Sequence, residues 1–204
     1  ELLKFIDFKN QDQEDLYGGA IWKDEIFGEF YNSPIKRGKF FESRRRLTEI
    51  FAKKIRSPSP TFNCVGPAGV GTGSLAGMRL LHKIKTKLKK KSHIWPFDPY
   101  KHLEASQIVL AEIFPSYYFH FAGESSIKKK GREEILLLKT LDFYNQQFSS
   151  KLSIGHNDND DMDAIVSCAA LKYFVKNQIG FTNPFRKKHI MDASSIEGWI
   201  LGVN

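Results

Sequence analysis

The sequence predicts an α/β fold from three stretches. Residues 108–114, I-V-L-A-E-I-F, form a near-continuous apolar run closed by Pro115, the pattern of a strand covered on both faces in a parallel or mixed sheet. Residues 61–65 read as a short strand that runs into G-P-A-G-V-G-T-G-S and then into helical spacing, a strand, turn and helix in sequence. Residues 156–171, H-N-D-N-D-D-M-D-A-I-V-S-C-A-A-L, set an acidic head on an apolar segment of helical character, whose small residues allow close approach to a sheet.

Taken in order, residues 1–15 are polar and acidic with a short apolar patch, and Gly18-Gly19 marks a turn. Aromatics alternate with Gly, Asn, Ser and Pro over 27–41, which predicts an ordered covering loop. Residues 41–56 are amphipathic and read as a short helix or an irregular stretch that Ser57-Pro58-Ser59-Pro60 stops. Leu75, Met78, Leu81, Ile84 and Leu88 give a helix over 75–90, and the two prolines of 93–100 leave room for an edge strand at best. Residues 125–132 read as a basic loop. An amphipathic helix is expected over 133–148, with Ile135, Leu138, Leu141 and Phe148 inward, and a second over 164–175, with Ile165, Cys168, Ala169, Leu171 and Val175 inward. Residues 180–189 read as a polar loop and 197–202 as a closing strand. The expected organisation is an irregular segment, 1–60, packed on a single core, 61–204.

A chain of 204 residues with 41% hydrophobic content can bury one sizeable core. Its net charge of +8 suits a polyanionic partner, with the excess concentrated at 83–91 and at Arg44, Arg45 and Arg46. Cys64 and Cys168 lie in apolar surroundings, which predicts buried free thiols in a reducing, cytoplasmic compartment. No apolar run approaches the length of a membrane span, so no membrane partner is expected.

Asp158, Asp160, Asp161 and Asp163 crowd into the start of the second late helix, whose boundary is expected near Asn159. One or two carboxylates complement a helix N-terminus, and further ones repel each other. Asp160 and Asp163 are three apart, on one face of the first turn, where a divalent cation would relieve that repulsion. Glu112 interrupts the apolar run near its end, and sites in open α/β sheets lie at the ends of parallel strands. Gly66, Gly69, Gly71, Gly73 and Ser74 have the layout of a phosphate-binding turn, but Thr72 and Gly73 stand where that signature needs Lys and Ser/Thr. The loop is therefore expected to be a structural turn that supports the site.

The segments G-P-A-G-V-G-T-G-S-L-A-G, W-P-F-D, A-E-I-F-P-S, D-D-M-D-A-I-V-S-C-A-A and E-G-W-I-L-G, in that order, resemble a family of uncharacterised bacterial proteins related to the domain-of-unknown-function family four-two-nine, regarded as predicted nucleases of ribonuclease H-like fold. The resemblance runs from about Arg44 to the C-terminus. It implies a mixed sheet flanked by helices and a divalent-ion site, with Glu112 matching the acidic residue after the fourth strand and Asp160 and Asp163 those of the late helix. A first-strand Asp has only Asp7 as its counterpart here, so the expectation is that the first part of that domain is not within this chain.

The leading expectation is metal-dependent phosphodiester hydrolysis, with Glu112, Asp160 and Asp163 holding Mg²⁺ or Mn²⁺ and Arg44, Arg45, Arg46, Lys87 and Lys89 holding a nucleic-acid backbone. The alternatives are a non-catalytic nucleic-acid-binding or interaction domain on the same fold, and phosphate-ligand binding at the Gly66 to Ser74 loop.

Overall fold

The computed structural model describes residues 1–66, 69–98, 107–124, 133–147, 159–177 and 187–204. Over these the chain is mixed α/β and mostly helical: α1 (Leu2–Lys9), α2 (Ala20–Lys23), α3 (Leu47–Ala52), α4 (Gly71–Leu88), β1 (Ser92–Ile94), β2 (Ile108–Leu110), α5 (Pro115–Phe121), α6 (Glu133–Phe143), α7 (Asn159–Lys176) and α8 (Lys188–Glu197). Contacts divide it into two units. Glu1–Arg46 with Pro58–Leu110 make unit 1, and Leu47–Ser57 with Ala111–Asn204 make unit 2. The stretch 1–60 is thus shared between the units.

Unit 1 is built on α4, against which α1 and β1 pack. Ile6, Ile21, Trp22, Cys64 and Leu75 form its core. Asn10 is fully buried and joins two helices: its amide donates to the Ile6 carbonyl at 2.8 Å and its side-chain oxygen accepts from the Ala20 amide at 2.9 Å. Both polar ends are satisfied, which is the condition for burying an amide. β1 and β2 pair in parallel, Ser92 with Ile108 and Ile94 with Leu110.

The long strand expected over 108–114 is three residues, and it is not covered on both faces. Ile108 and Ile113 are exposed. Beyond Leu110 the run changes partner, and Glu112 pairs with Ile200 in an isolated parallel bridge. Residues 61–65 are not a strand either. Asn63 makes a single parallel bridge to Asn32, and its carbonyl goes instead to the Gly71 amide at the start of α4, 2.8 Å away.

Unit 2 has an aromatic core. Phe174 of α7 meets Tyr118 of α5 edge-on at 5.5 Å and Phe121 at 5.8 Å, and Tyr144, fully buried, donates its hydroxyl to the Tyr118 carbonyl at 2.7 Å. α5 starts with Pro115 in its first turn, where a missing amide hydrogen costs nothing. The C-terminal E-G-W-I-L-G segment is pinned rather than paired into a sheet. Glu197 accepts the Leu47 amide at the start of α3, and the buried Thr48 hydroxyl accepts the Ile200 amide at 3.0 Å. Trp199 is buried and donates its indole N–H to the Val203 carbonyl at 2.9 Å.

α7 corrects the expected inward face. Met162, Val166, Ala169, Ala170 and Phe174 are buried, while Cys168, Leu171 and Val175 are exposed; on α6, Leu137 and Leu141 are buried, while Ile135 and Leu138 face solvent. Both helices are apolar around much of their circumference, so spacing alone does not select which stripe turns inward. The expected loop at 125–132, residues 180–186 of the loop expected over 180–189, and Phe148 lie outside the described residues, while Lys188 and His189 of that second loop open α8 instead.

Candidate functional site

The expected carboxylates all fall in unit 2, Glu112 in the bridge to Ile200 and Asp160 and Asp163 together on α7. Glu112 is exposed, and its backbone carbonyl accepts the Leu201 amide at 2.9 Å, which fixes the strand end but leaves the side chain on the surface. Asp160 is exposed and Asp163 half-buried in the first turns of α7, which begins at Asn159 as expected. Asp158 lies outside the described residues. α7 packs against α5, the helix that follows Glu112. Among the described residues no group of three or more His, Cys, Asp or Glu side chains is arranged to hold a metal ion.

Asp7, the counterpart considered for a first-strand carboxylate, is on a helix and is engaged elsewhere. It accepts from Arg79 Nε at 3.1 Å, and Arg79, only 3% exposed, also donates to the carbonyls of Tyr17 at 2.7 Å and Gln13 at 3.3 Å. Asp7 is a structural counter-charge.

The glycine loop holds a turn together. Gly66 has φ +70°, the left-handed region that favours glycine. Gly71 opens α4 so close to the preceding chain that a Cβ there would meet Cys64 Sγ at 2.7 Å and the Thr61 carbonyl at 2.9 Å. A Cβ at Gly69 would meet the Val65 amide nitrogen at 2.8 Å, whereas Gly73, in the first turn, has nothing within 4 Å, and the Ser74 amide donates to the Val70 carbonyl. Burial pushes the Cys64 thiol above its ordinary value, partly offset by its hydrogen bond with Thr72. The residue at the signature lysine position is thus spent on a cysteine inside the turn.

The basic residues sort by exposure, all within unit 1. Arg44 is exposed and paired with Glu42 at 2.9 Å; Arg45 is half-buried and donates to the Pro58 carbonyl at 3.2 Å; Arg46 is half-buried. Lys85 is committed to Asp98 and to the Ser92 carbonyl at 2.8 Å. Burial by itself would raise the Asp98 carboxyl, but the hydrogen bonds from Lys85 and the Ile94 amide outweigh it and hold the group below its ordinary value. Lys83, Lys87, Lys89, Lys90 and Lys91 are exposed at the end of α4 and in the 3₁₀ turn that follows. Sequence reasoning saw these lysines but missed their setting: between Glu49 and Asp98 the chain has no Asp or Glu at all.

Unit 1 also has a half-open apolar pocket of about 200 Å³, lined by Phe5, Phe27, Phe30, Tyr31, Phe40 and Phe62 among others. The chain matches no family model, no curated protein and no solved structure. No helix among the described residues is long and apolar enough to cross a membrane.

Proposed function

We propose that the chain binds nucleic acid through the basic end of α4. The observation that carries this reading is the exposure of Lys83, Lys87, Lys89, Lys90 and Lys91 within a stretch free of acidic residues from Ile50 to Phe97. A helix C-terminus is complemented by one or two cations, and five exposed lysines with no carboxylate among them in sequence exceed that need. Phosphates recruited by such lysines displace condensed counterions, so binding is strong at low salt and indifferent to base sequence. The test is fluorescence anisotropy of a labelled single-stranded oligonucleotide against the chain and its Lys87→Glu/Lys89→Glu/Lys91→Glu variant. The reading requires the variant to lose most of the affinity while keeping its fold.

Metal-dependent phosphodiester hydrolysis is the second reading. It is supported by the way segments of the resemblance gather in unit 2: Glu112 of A-E-I-F-P-S beside Ile200 of E-G-W-I-L-G, with α7, which carries Asp160 and Asp163, against α5. Glu112, Asp160 and Asp163 would bind Mg²⁺ or Mn²⁺ on a ribonuclease H-like core, and the metal would activate water. The absence of a ready three-carboxylate group among the described residues places this reading after binding. A rise in melting temperature with Mn²⁺ that Asp163→Asn removes would restore it to first place, and no shift would remove it.

A further inference from the structure

α7 has a second apolar face that the described residues leave exposed. Met162, Val166, Ala169, Ala170 and Phe174 fill the core, while Ala164, Cys168, Leu171 and Val175 are exposed, Leu171 at 40% and Val175 at 53%. The exposed four are spaced by four, three and four residues, the seam along which two helices pack. A seam left in water on a helix whose other side is already core is the mark of an interface.

We infer that this face is covered by α7 of a second copy of the chain, running antiparallel. Two independent orders along the helix select that occupant and that direction. The first is size. Ala164 and Cys168 lie in the N-terminal half, Leu171 and Val175 in the C-terminal half. A two-fold axis between Cys168 and Leu171 sets each small residue opposite a large one of the partner copy, Ala164 facing Val175 and Cys168 facing Leu171. Parallel pairing would set Leu against Leu and Ala against Ala, crowding one end and leaving a void at the other. The second order is charge. Asp160 and Asp161 are exposed in the first turn, Lys172 and Lys176 near the last. Antiparallel pairing brings the acidic turn of each helix to the basic turn of the other and opposes the helix dipoles, whereas parallel pairing sets like against like.

Ile135, Leu138 and Phe143 of α6, which packs beside α7, are exposed as well and offer apolar surface beyond a single helix pair. The α7 seam runs from Ala164 to Val175, about 18 Å of helix. One such pair is smaller than a standard interface, so the dimer is expected to be a weak one.

Cys168 sits beside the axis and is exposed, whereas Cys64 is buried, so a short bis-maleimide tests the geometry directly. The full chain should cross-link as a dimer at micromolar concentration, Cys168→Ser should not, and sedimentation equilibrium should show the same dimer without cross-linker. Leu171→Glu, on an exposed position, should be monomeric with an unchanged circular dichroism spectrum. For direction, Lys176→Glu should weaken the dimer and Lys176→Glu/Asp161→Lys should restore it. A chain that sediments as a monomer throughout this range, a dimer that survives Leu171→Glu, or a double reversal that fails to restore association would each overturn the inference.

Discussion

Arg79 Nε lies 3.1 Å from Asp7 Oδ1, joining α4 to α1 across 72 residues of sequence, and the guanidinium is almost entirely buried. Asp7 therefore matters to stability. Removing its charge leaves Arg79 with two carbonyl acceptors and no counter-charge in a low-dielectric setting. Asp7→Asn should lower unfolding free energy by about 2 kcal/mol in urea titrations, without altering any response to Mn²⁺. A neutral result would mean that the two carbonyls alone satisfy Arg79.

Two glycines of one loop should behave oppositely. Gly71→Ala drives a methyl into Cys64 Sγ and the Thr61 carbonyl and should cost about 1–3 kcal/mol. Gly73→Ala meets nothing and replaces a poor helix former in the first turn of α4, so it should stabilise by up to about 1 kcal/mol. Thermal melts of the two variants check this, and equal effects would contradict the packing described.

Asp98 sets an acid limit. Its folded carboxyl lies below the ordinary value, so its contribution is present above the unfolded pKa of about 3.9 and is lost as pH falls through the folded value. Asp98→Asn should cost about 0.5–1 kcal/mol at neutral pH, a figure reduced because Lys85 and Asp98 are each about a third exposed. The gap between variant and parent should close in strong acid. A gap independent of pH would show that the carboxylate acts only as a hydrogen-bond acceptor for Ile94.

Buried tyrosines set an alkaline limit. Burial pushes Tyr31 and Tyr117 up to about 12, and Tyr118 and Tyr144 still higher. Each raised pKa contributes stability that is complete below the unfolded value of about 10 and is lost as pH rises through the folded one. These tyrosines should ionise together with the loss of circular dichroism on alkaline titration. Tyrosinate absorbance for all seven tyrosines that saturates while the fold persists would contradict the burial of Tyr117, Tyr118 and Tyr144.

What could be read in advance follows from which signals are local. α4 and the start of α7 were legible, because the apolar spacing of Leu75 to Leu88 and acidic capping are signals within one helix. α1 was not, because its core contribution is one residue, Ile6, in a stretch of mixed polarity. α5 was hidden because Pro115 reads equally as the end of a strand and as the first turn of a helix. The side chains of 108–114 promised a two-sided strand, but strand length is set by partners, and the run pairs first with Ser92–Ile94 and then with Ile200. The candidate site shows the same divide. Asp160 and Asp163 share a turn because the helix guarantees it, while their relation to Glu112 is tertiary and lay beyond any spacing argument.

Salt dependence tests nucleic-acid binding at α4 most directly. Anisotropy titrations of a single-stranded oligonucleotide over a range of salt concentrations give the slope of log affinity against log salt. If four to five of the exposed lysines meet phosphates, the slope should be about −3, and Lys87→Glu/Lys89→Glu/Lys91→Glu should flatten it to about −1. A slope near zero, or one that the three substitutions leave unchanged, would contradict nucleic-acid binding at the end of α4.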